Sequence, residues 1–174
     1  AMVATLTFSK KGLQALKPEM DELGQQAQEL KDFFGRAVDE DTDAFNRVMA
    51  AMRLPRKGDE LKAVRVLAIE EATKGAVQVP YGVLERSVEA ARLAGKMVAQ
   101  GNPNSLSDAG VASLCARLAA KGAYYNVLIN LPGLDDNDYV DTTRAGAAEL
   151  LTTVSGICDE TDKAVEKRLL ADLE

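Results

Sequence analysis

Leu23, Ala27, Leu30, Phe34, Val38, Asp41, Phe45, Val48 and Met52 recur at alternating intervals of three and four. Sustained that long, the spacing is a helical seam; a strand would repeat every second residue. It predicts one helix from about Lys17 to Met52. Pro18 sits in its first turn, where the missing N–H has no helical partner to lose. Ala147, Leu151, Val154, Cys158, Thr161, Val165 and Leu169 repeat the pattern near the end. Between these two, a helix starts near Asp59 with Leu61, Val64, Leu67, Ala68, Ala72, Gly75 and Ala76 on one side. Pro80 should kink or break it before Tyr81 to Ala99 continues. A further helix runs from Ser105 to about Leu131, and Leu131 to Asp136 ends it and caps the last one. AMVATLTF reads as the tail of a helix whose start lies upstream, and Ser9 to Gly12 makes a basic turn. No stretch alternates as a strand does. The expectation is a single all-α domain over residues 1–174, an antiparallel bundle of long helices.

Composition narrows the function. The chain is 47% apolar with few aromatics and no Trp, which suits closely packed helices. Its net charge of -6 opposes nucleic acid and acidic membranes as partners. Cys115 and Cys158 lie on apolar stripes and read as buried thiols of a reducing compartment. With no signal peptide and no run of membrane-spanning length, the expected location is cytoplasmic. The chain has no His. The commonest general acid/base and metal ligand is therefore missing, and no CxxC pair or acidic calcium loop replaces it. No metal site and no tightly bound cofactor is expected. Proton transfer falls to Asp, Glu, Lys, Tyr, Cys or water.

Two carboxylates then stand out. Asp41 occupies a seam position that the pattern reserves for an apolar side chain, whereas Asp39, Glu40 and Asp43 point elsewhere and read as solvated. A carboxylate on a buried face needs a partner, a proton or a ligand. Asp108 belongs to the dense polar stretch GNPNSLSDAGV, Gly101 to Val111. There Ser105 can cap the next helix, with Asp108 at capping-box spacing. A loop needs Gly, Pro and Asn in any case, so a lined site and a plain turn both fit. The helix that follows is rich in Ala, Gly and Cys and apolar nearly all round, as a central helix or one at a subunit interface would be. Asp108, Ala112, Cys115, Ala119, Gly122, Asn126 and Asn130 share one stripe. Asp108 and Asn130 lie about 33 Å apart along it, at ~1.5 Å per residue. If two copies crossed antiparallel near the midpoint, Ala119, Asp108 of one would approach Asn130 of the other; a homodimer is expected. Arg53, Arg56 and Lys57 flank the break after Met52. They either complement a helix dipole or meet an anion.

The segments AFNRVMAAMRLPRK, GNPNSLSDAGV and GAYYNVLINL, in that order, resemble the formiminotransferase-cyclodeaminase C-terminal domain family, which includes stand-alone methenyltetrahydrofolate cyclohydrolases of the serine cycle. The opening ATLTFSKKG resembles the family's NLT-x-x-KK element. The proline- and glycine-rich segment and Ala-rich helix that precede it in the family are not in this chain. The resemblance covers nearly the whole sequence. It implies an all-helical homodimer that closes formiminotetrahydrofolate to methenyltetrahydrofolate with loss of ammonia, or hydrolyses methenyltetrahydrofolate to formyltetrahydrofolate. The substrate would be a tetrahydrofolate derivative.

Both reactions pass through a tetrahedral carbon flanked by nitrogen and need one group to accept a proton and one to donate it. A partly buried Asp with a raised pKa can do this without His. Asp41 is the expected proton-transferring group. Asp108 is the expected fixed anion for the pterin or the methenyl cation, since a helix N-terminus favours its charge. The two roles are interchangeable on these residues alone. Asn102, Asn104 and Asn126, with Asn130 as a further choice, are candidates for the pterin amide edge; buried Asn also commonly satisfies backbone groups. Lys10, Lys11, Arg53 and Lys57 are candidates for the anionic glutamate tail, or plain surface cations. Tyr124 and Tyr125 can stack on a pterin or simply pack. The alternative to an enzyme is a non-catalytic helical dimer or a folate-binding scaffold of the same fold.

Overall fold

The computed structural model describes residues 1–171. Five α-helices make up the architecture: α1 (Met2–Phe8), α2 (Lys17–Met52), α3 (Asp59–Gln100), α4 (Leu106–Asn130) and α5 (Asn137–Ala171). The described residues contain no strand. α3 is the central element, with α2, α4 and α5 all packed on it. Single 3-10 turns, Pro103–Ser105 and Leu131–Gly133, flank α4.

Pro80 does not break α3, which continues unbroken through it. A proline at position 80 leaves the carbonyl of Ala76 without its helical donor. The Asn130 amide nitrogen lies 3.4 Å from that oxygen and donates to it, while also donating to Asn126 O at 2.9 Å. A side chain of α4 thus satisfies the acceptor that proline frees in α3, and Pro80 itself is buried.

The main core lies among α3, α4 and α5. Val77, Leu84, Val127, Val154 and Cys158 are all completely buried there. Each such side chain contributes about 1.5–3 kcal/mol, less for the smaller Cys. Ala116, Ala120 and Ala123 let α4 approach α3 closely. A second cluster ties α1 and the start of α2 to the α3–α4 turn through Val3, Met20, Leu23, Met97 and Leu106.

Three expectations from the seam need correction. In α2 the buried residues are Met20, Leu23, Leu30, Ala37, Ala44 and Ala51. Beyond Leu30 the covered stripe is rotated by one residue, because alanines allow the close helix contact. Val38, Phe45 and Met52 are left exposed, and so is Asp41 between them. α4 has the largest share of buried residues among the long helices, 8 of 25, yet it is not covered all round. One of its faces, with Val111, Leu114, Leu118, Tyr125 and Ile129, is open to solvent. Cys115 is exposed on this helix, while Cys158 is buried as expected. Leu61, Val64 and Leu67 of α3 are exposed as well, because the α2–α3 hairpin extends past the other helices.

The termini of the helices follow local chemistry. Gly58 adopts φ 100, a region that L side chains avoid, and precedes Asp59 and Glu60 in the first turn of α3. Asp136 caps α5: its carboxylate accepts the Tyr139 N–H at 3.1 Å and the Lys74 ammonium at 2.6 Å. The Lys74 hydrogen bond, with the Tyr139 backbone, holds the Asp136 carboxyl below the usual carboxylate range. The expected Ser105–Asp108 capping box is absent. Ser105 is buried and makes no side-chain cap, and Asn102 caps the preceding turn by accepting the Asn104 N–H at 3.1 Å.

Candidate active site

α2 and α4 stand on either side of α3 and leave a groove over it. Two cavities lie in this groove and share Phe34. The larger, about 580 Å³, is bounded by α1, α2, α3 and α4, with the small residues Ala112, Cys115 and Ala119 along the α4 side. The smaller, about 310 Å³, exists because Ala37, Pro80, Gly122 and Ala123 leave space between the helices; a Cβ on Gly122 would meet nothing within 4 Å. Its lining includes two polar side chains, Asp41 and Asn126, and is otherwise apolar.

Asp41 and Asn126 are 85 positions apart in sequence by subtraction, and α2 and α4 bring them into one recess. A carboxylate can take or give a proton. A carboxamide lining the same recess can both donate and accept hydrogen bonds. Both side chains are open to solvent in the single chain. The recess therefore combines acid/base capacity with a polar edge that can orient a flat, amide-bearing heterocycle.

The other expected site residues lie elsewhere in the single chain. Asn102 is a structural knot. Its Oδ1 accepts from Lys10 Nζ at 3.2 Å and from Asn104 N at 3.1 Å, its Nδ2 donates to Leu6 O at 3.3 Å, and its N–H donates to Thr7 Oγ1 at 2.9 Å. These bonds fasten α1 to the α3–α4 turn. Gly101 permits the approach, since a Cβ there would overlap the Met97 carbonyl and press on Val3. Lys11, Asn104 and Asp108 are exposed at this same end, with Asp108 in the first turn of α4. Asp108 and Asn126 are separated by about 27 Å of helix, at ~1.5 Å per residue. Asn130 is engaged with the Ala76 carbonyl, as described above. Arg53 and Lys57 are exposed at the α2–α3 turn, about 18 Å along α2 from Asp41 for Arg53.

One cation went unrecognised in the sequence. Arg65 Nη2 donates to the Met52 carbonyl at 3.1 Å and so completes the C-terminus of α2, while its buried Nε has no partner. Nothing in the local pattern separates Arg65 from its exposed neighbours; only the turn of the hairpin does. Tyr124 is half-buried and Tyr125 exposed, with the Lys121 ammonium over both rings at 5.5 and 5.0 Å. Among the described residues, no cluster of His, Cys, Asp and Glu has metal-holding geometry, and no helix is long and apolar enough to cross a membrane.

Comparison with known proteins gives this geometry a context. Residues 1–149 match the formiminotransferase-cyclodeaminase family. The chain is 35% identical over 160 residues to a methenyltetrahydrofolate cyclohydrolase of Methylorubrum extorquens, covering 92% of this chain and 74% of that one. It is 32% identical over 151 residues to a formimidoyltransferase-cyclodeaminase of Gallus gallus, covering 86% of this chain and 28% of that longer protein. Its fold is similar to the crystal structure of a formiminotetrahydrofolate cyclodeaminase from Thermotoga maritima, with a TM-score of 0.77 and 26% identity, covering 99% of this chain and 80% of the other.

Proposed function

The chain belongs to the formiminotransferase-cyclodeaminase family, and from that premise we propose that it is a one-carbon tetrahydrofolate enzyme: a methenyltetrahydrofolate cyclohydrolase, a formiminotetrahydrofolate cyclodeaminase, or both. The observation that carries this reading is the Asp41–Asn126 pair in an otherwise apolar recess. Identity to the Methylorubrum extorquens cyclohydrolase supports the methenyl reaction and that to the formimidoyltransferase-cyclodeaminases the formimino reaction.

In the hydrolysis, Asp41 accepts a proton from the water that adds to the methenyl carbon. It then returns a proton to the ring nitrogen as the tetrahedral carbon opens. In the deamination, it removes a proton from the attacking ring nitrogen and delivers one to the departing ammonia. Asn126 hydrogen-bonds the pterin amide edge. Asp108 stabilises the amidinium charge of the methenyl substrate. Side chains and water perform these steps without a tightly bound cofactor, and the cations at the ends of the bundle, Lys10, Lys11, Arg53 and Lys57, serve the glutamate tail.

Asp108 reaches this recess from a second copy. We infer a homodimer in which the long helices run antiparallel within each chain and the two α4 helices cross antiparallel near Ala119. The open face of α4 supports it. A crossing midway between Val111 and Ile129 also sets Leu118 of one copy opposite the bare Gly122 of the other. It brings Asp108 of one copy towards the Asn126–Asn130 end of its partner and covers Asp41. The expected compartment is the cytoplasm.

The test is an absorbance assay on purified protein, first with methenyltetrahydrofolate and then with formiminotetrahydrofolate. Loss of the methenyl chromophore above the buffer rate, or its formation from the formimino compound, identifies the activity. Asp41→Asn should lower the rate by at least ~100-fold with the helical content unchanged. Undiminished activity in that variant rejects the mechanism, and silence of the wild-type dimer with both substrates favours a non-catalytic member of the fold.

A further inference from the structure

The connection from α4 to α5 is fastened to α3 by a polar clasp that lies outside the groove. Glu70 of α3 accepts from two successive backbone N–H groups ahead of α5, that of Asp135 at 3.0 Å and that of Asp136 at 3.3 Å. One helical turn along α3, Lys74 Nζ stands 2.6 Å from the Asp136 carboxylate and 3.7 Å from that of Glu70. The same ammonium is 5.1 Å from the centre of the Tyr139 ring, and the Tyr139 hydroxyl accepts from Gln78 at 2.7 Å. Thr73 is buried between these side chains, and a Cβ on Gly133 would stand 3.7 Å from its methyl group.

These contacts are tighter than an ordinary surface ion pair. Backbone N–H groups at a helix start have no helical acceptor, and Glu70 supplies one to the segment that enters α5. Glu70 and Asp136 then bring two carboxylates to one place, where they repel unless a cation stands between them, and Lys74 is that cation. The Glu70 side chain is 21% exposed and that of Lys74 32%, so neither swings freely in water. The hydrogen bond to Asp136 also holds the Lys74 ammonium above the usual lysine range. Neither Glu70 nor Lys74 lines either cavity of the groove.

The clasp determines where α4 ends. The connection behind Asn130 is short, and Leu131 and Leu134 within it are buried in the main core, so it has no slack. Asn130 ties the last turn of α4 to the Ala76 carbonyl of α3 and to the Asn126 carbonyl one turn back. On α3, Gln78 of the clasp is followed directly by Val79 and Pro80, which line the recess with Asn126. A slip of α4 by one residue would carry Asn126 about 1.5 Å along the axis, more than a hydrogen bond tolerates. Resting on the reading that Asn126 holds the pterin edge, we propose that Glu70 and Lys74 are positioning residues: they set the axial position of α4 and so place Asn126 in the Asp41 recess. Asp41 stands on α2, which the clasp does not touch.

The experiment joins steady-state kinetics of the full chain to amide NMR, which needs no turnover. Glu70→Gln and Lys74→Met should each raise KM by about three- to tenfold, the contribution of one hydrogen bond, and leave kcat within about twofold. Lys74→Arg keeps a donor for Asp136 and should restore KM. In an Asn126→Ala background, Glu70→Gln should add nothing further to KM. The Asn126 backbone amide and the Asn130 side-chain amide should shift in Glu70→Gln and Lys74→Met. They should stay in place in Arg117→Gln, which removes the ion pairs of Arg117 with Asp159 and Asp162 at another point of the α4–α5 contact. Unmoved amide signals in the clasp variants overturn the proposal, as does an equal shift in Arg117→Gln. So does a KM effect that persists in full without the Asn126 side chain, or a fall in kcat with KM unchanged. Shifted amides in a protein that turns over neither substrate uphold the hold of the clasp on Asn126 and reject the enzymatic reading instead.

Discussion

The two faces of α4 are equally apolar and have opposite fates. The inner face, Ala116, Ala120, Ala123 and Val127, is no more than 5% exposed. The outer face keeps Leu118 at 74% and Ile129 at 77% exposure, with Val111, Leu114 and Tyr125 also open. Hydrophobicity states that both faces avoid water; it does not state what covers them. The inner face meets α3 and α5 of the same chain. The outer face has no partner among the described residues, and a contiguous exposed patch of large apolar side chains marks an interaction surface.

The contrast can be broken most severely from the inside. Val127→Asp places a carboxylate at a site with no exposure, inside the apolar core cluster. A penalty of several kcal/mol is expected against a total stability of about 5–15 kcal/mol. Circular dichroism should show loss of the cooperative melt; a native-like melting curve would mean that the inner face is not the core of this fold. Leu118→Asp is the counterpart on the outer face. It should leave the helical signal of each chain intact and weaken self-association by about 100-fold, the equivalent of ~3 kcal/mol lost from apolar burial in two copies. Sedimentation equilibrium decides: an unchanged mass for this variant, or a monomeric wild type, removes the outer face as a homodimer surface. The smallest effect is expected at the edge between the faces. Asn130→Leu leaves the Ala76 carbonyl unsatisfied opposite Pro80 and should cost about 1–3 kcal/mol in a denaturant titration. If stability does not change, water replaces the amide there and the Asn130 contact is incidental.

Much of the fold was legible without coordinates. The span of α2 was read correctly at Lys17–Met52 because its three-and-four spacing is unbroken and Arg53–Gly58 cannot continue it. The α3–α4 and α4–α5 turns announced themselves through Gly101–Asn104 and Pro132–Asp136. Family membership was likewise readable from segments that persist at fixed spacing. The errors have local causes. Pro80 looked like a break because its compensating donor, Asn130, comes from another helix. Ser105 looked like a cap because cap chemistry is short-range, yet burial withdrew its hydroxyl and Asn102 took the role. Asn102, a candidate for the pterin edge, bonds Lys10, Leu6 and Asn104 within the chain, contacts that its own segment does not announce.

The candidate site divides along the same line. That Asp41 is anomalous on an apolar seam, and that a His-free chain must rely on carboxylates, follows from periodicity and composition alone. Those properties depend on residue identity and spacing within one helix. That Asp41 and Asn126 line one recess, that Asp108 lies a helix length away from it, and that Arg36, Arg92 and Lys96 line one cleft depend on how α2 and α4 are placed around α3. Helix periodicity specifies the direction of a side chain about its own axis. It carries no information on which neighbouring axis that side chain will face, and packing in three dimensions alone supplies it.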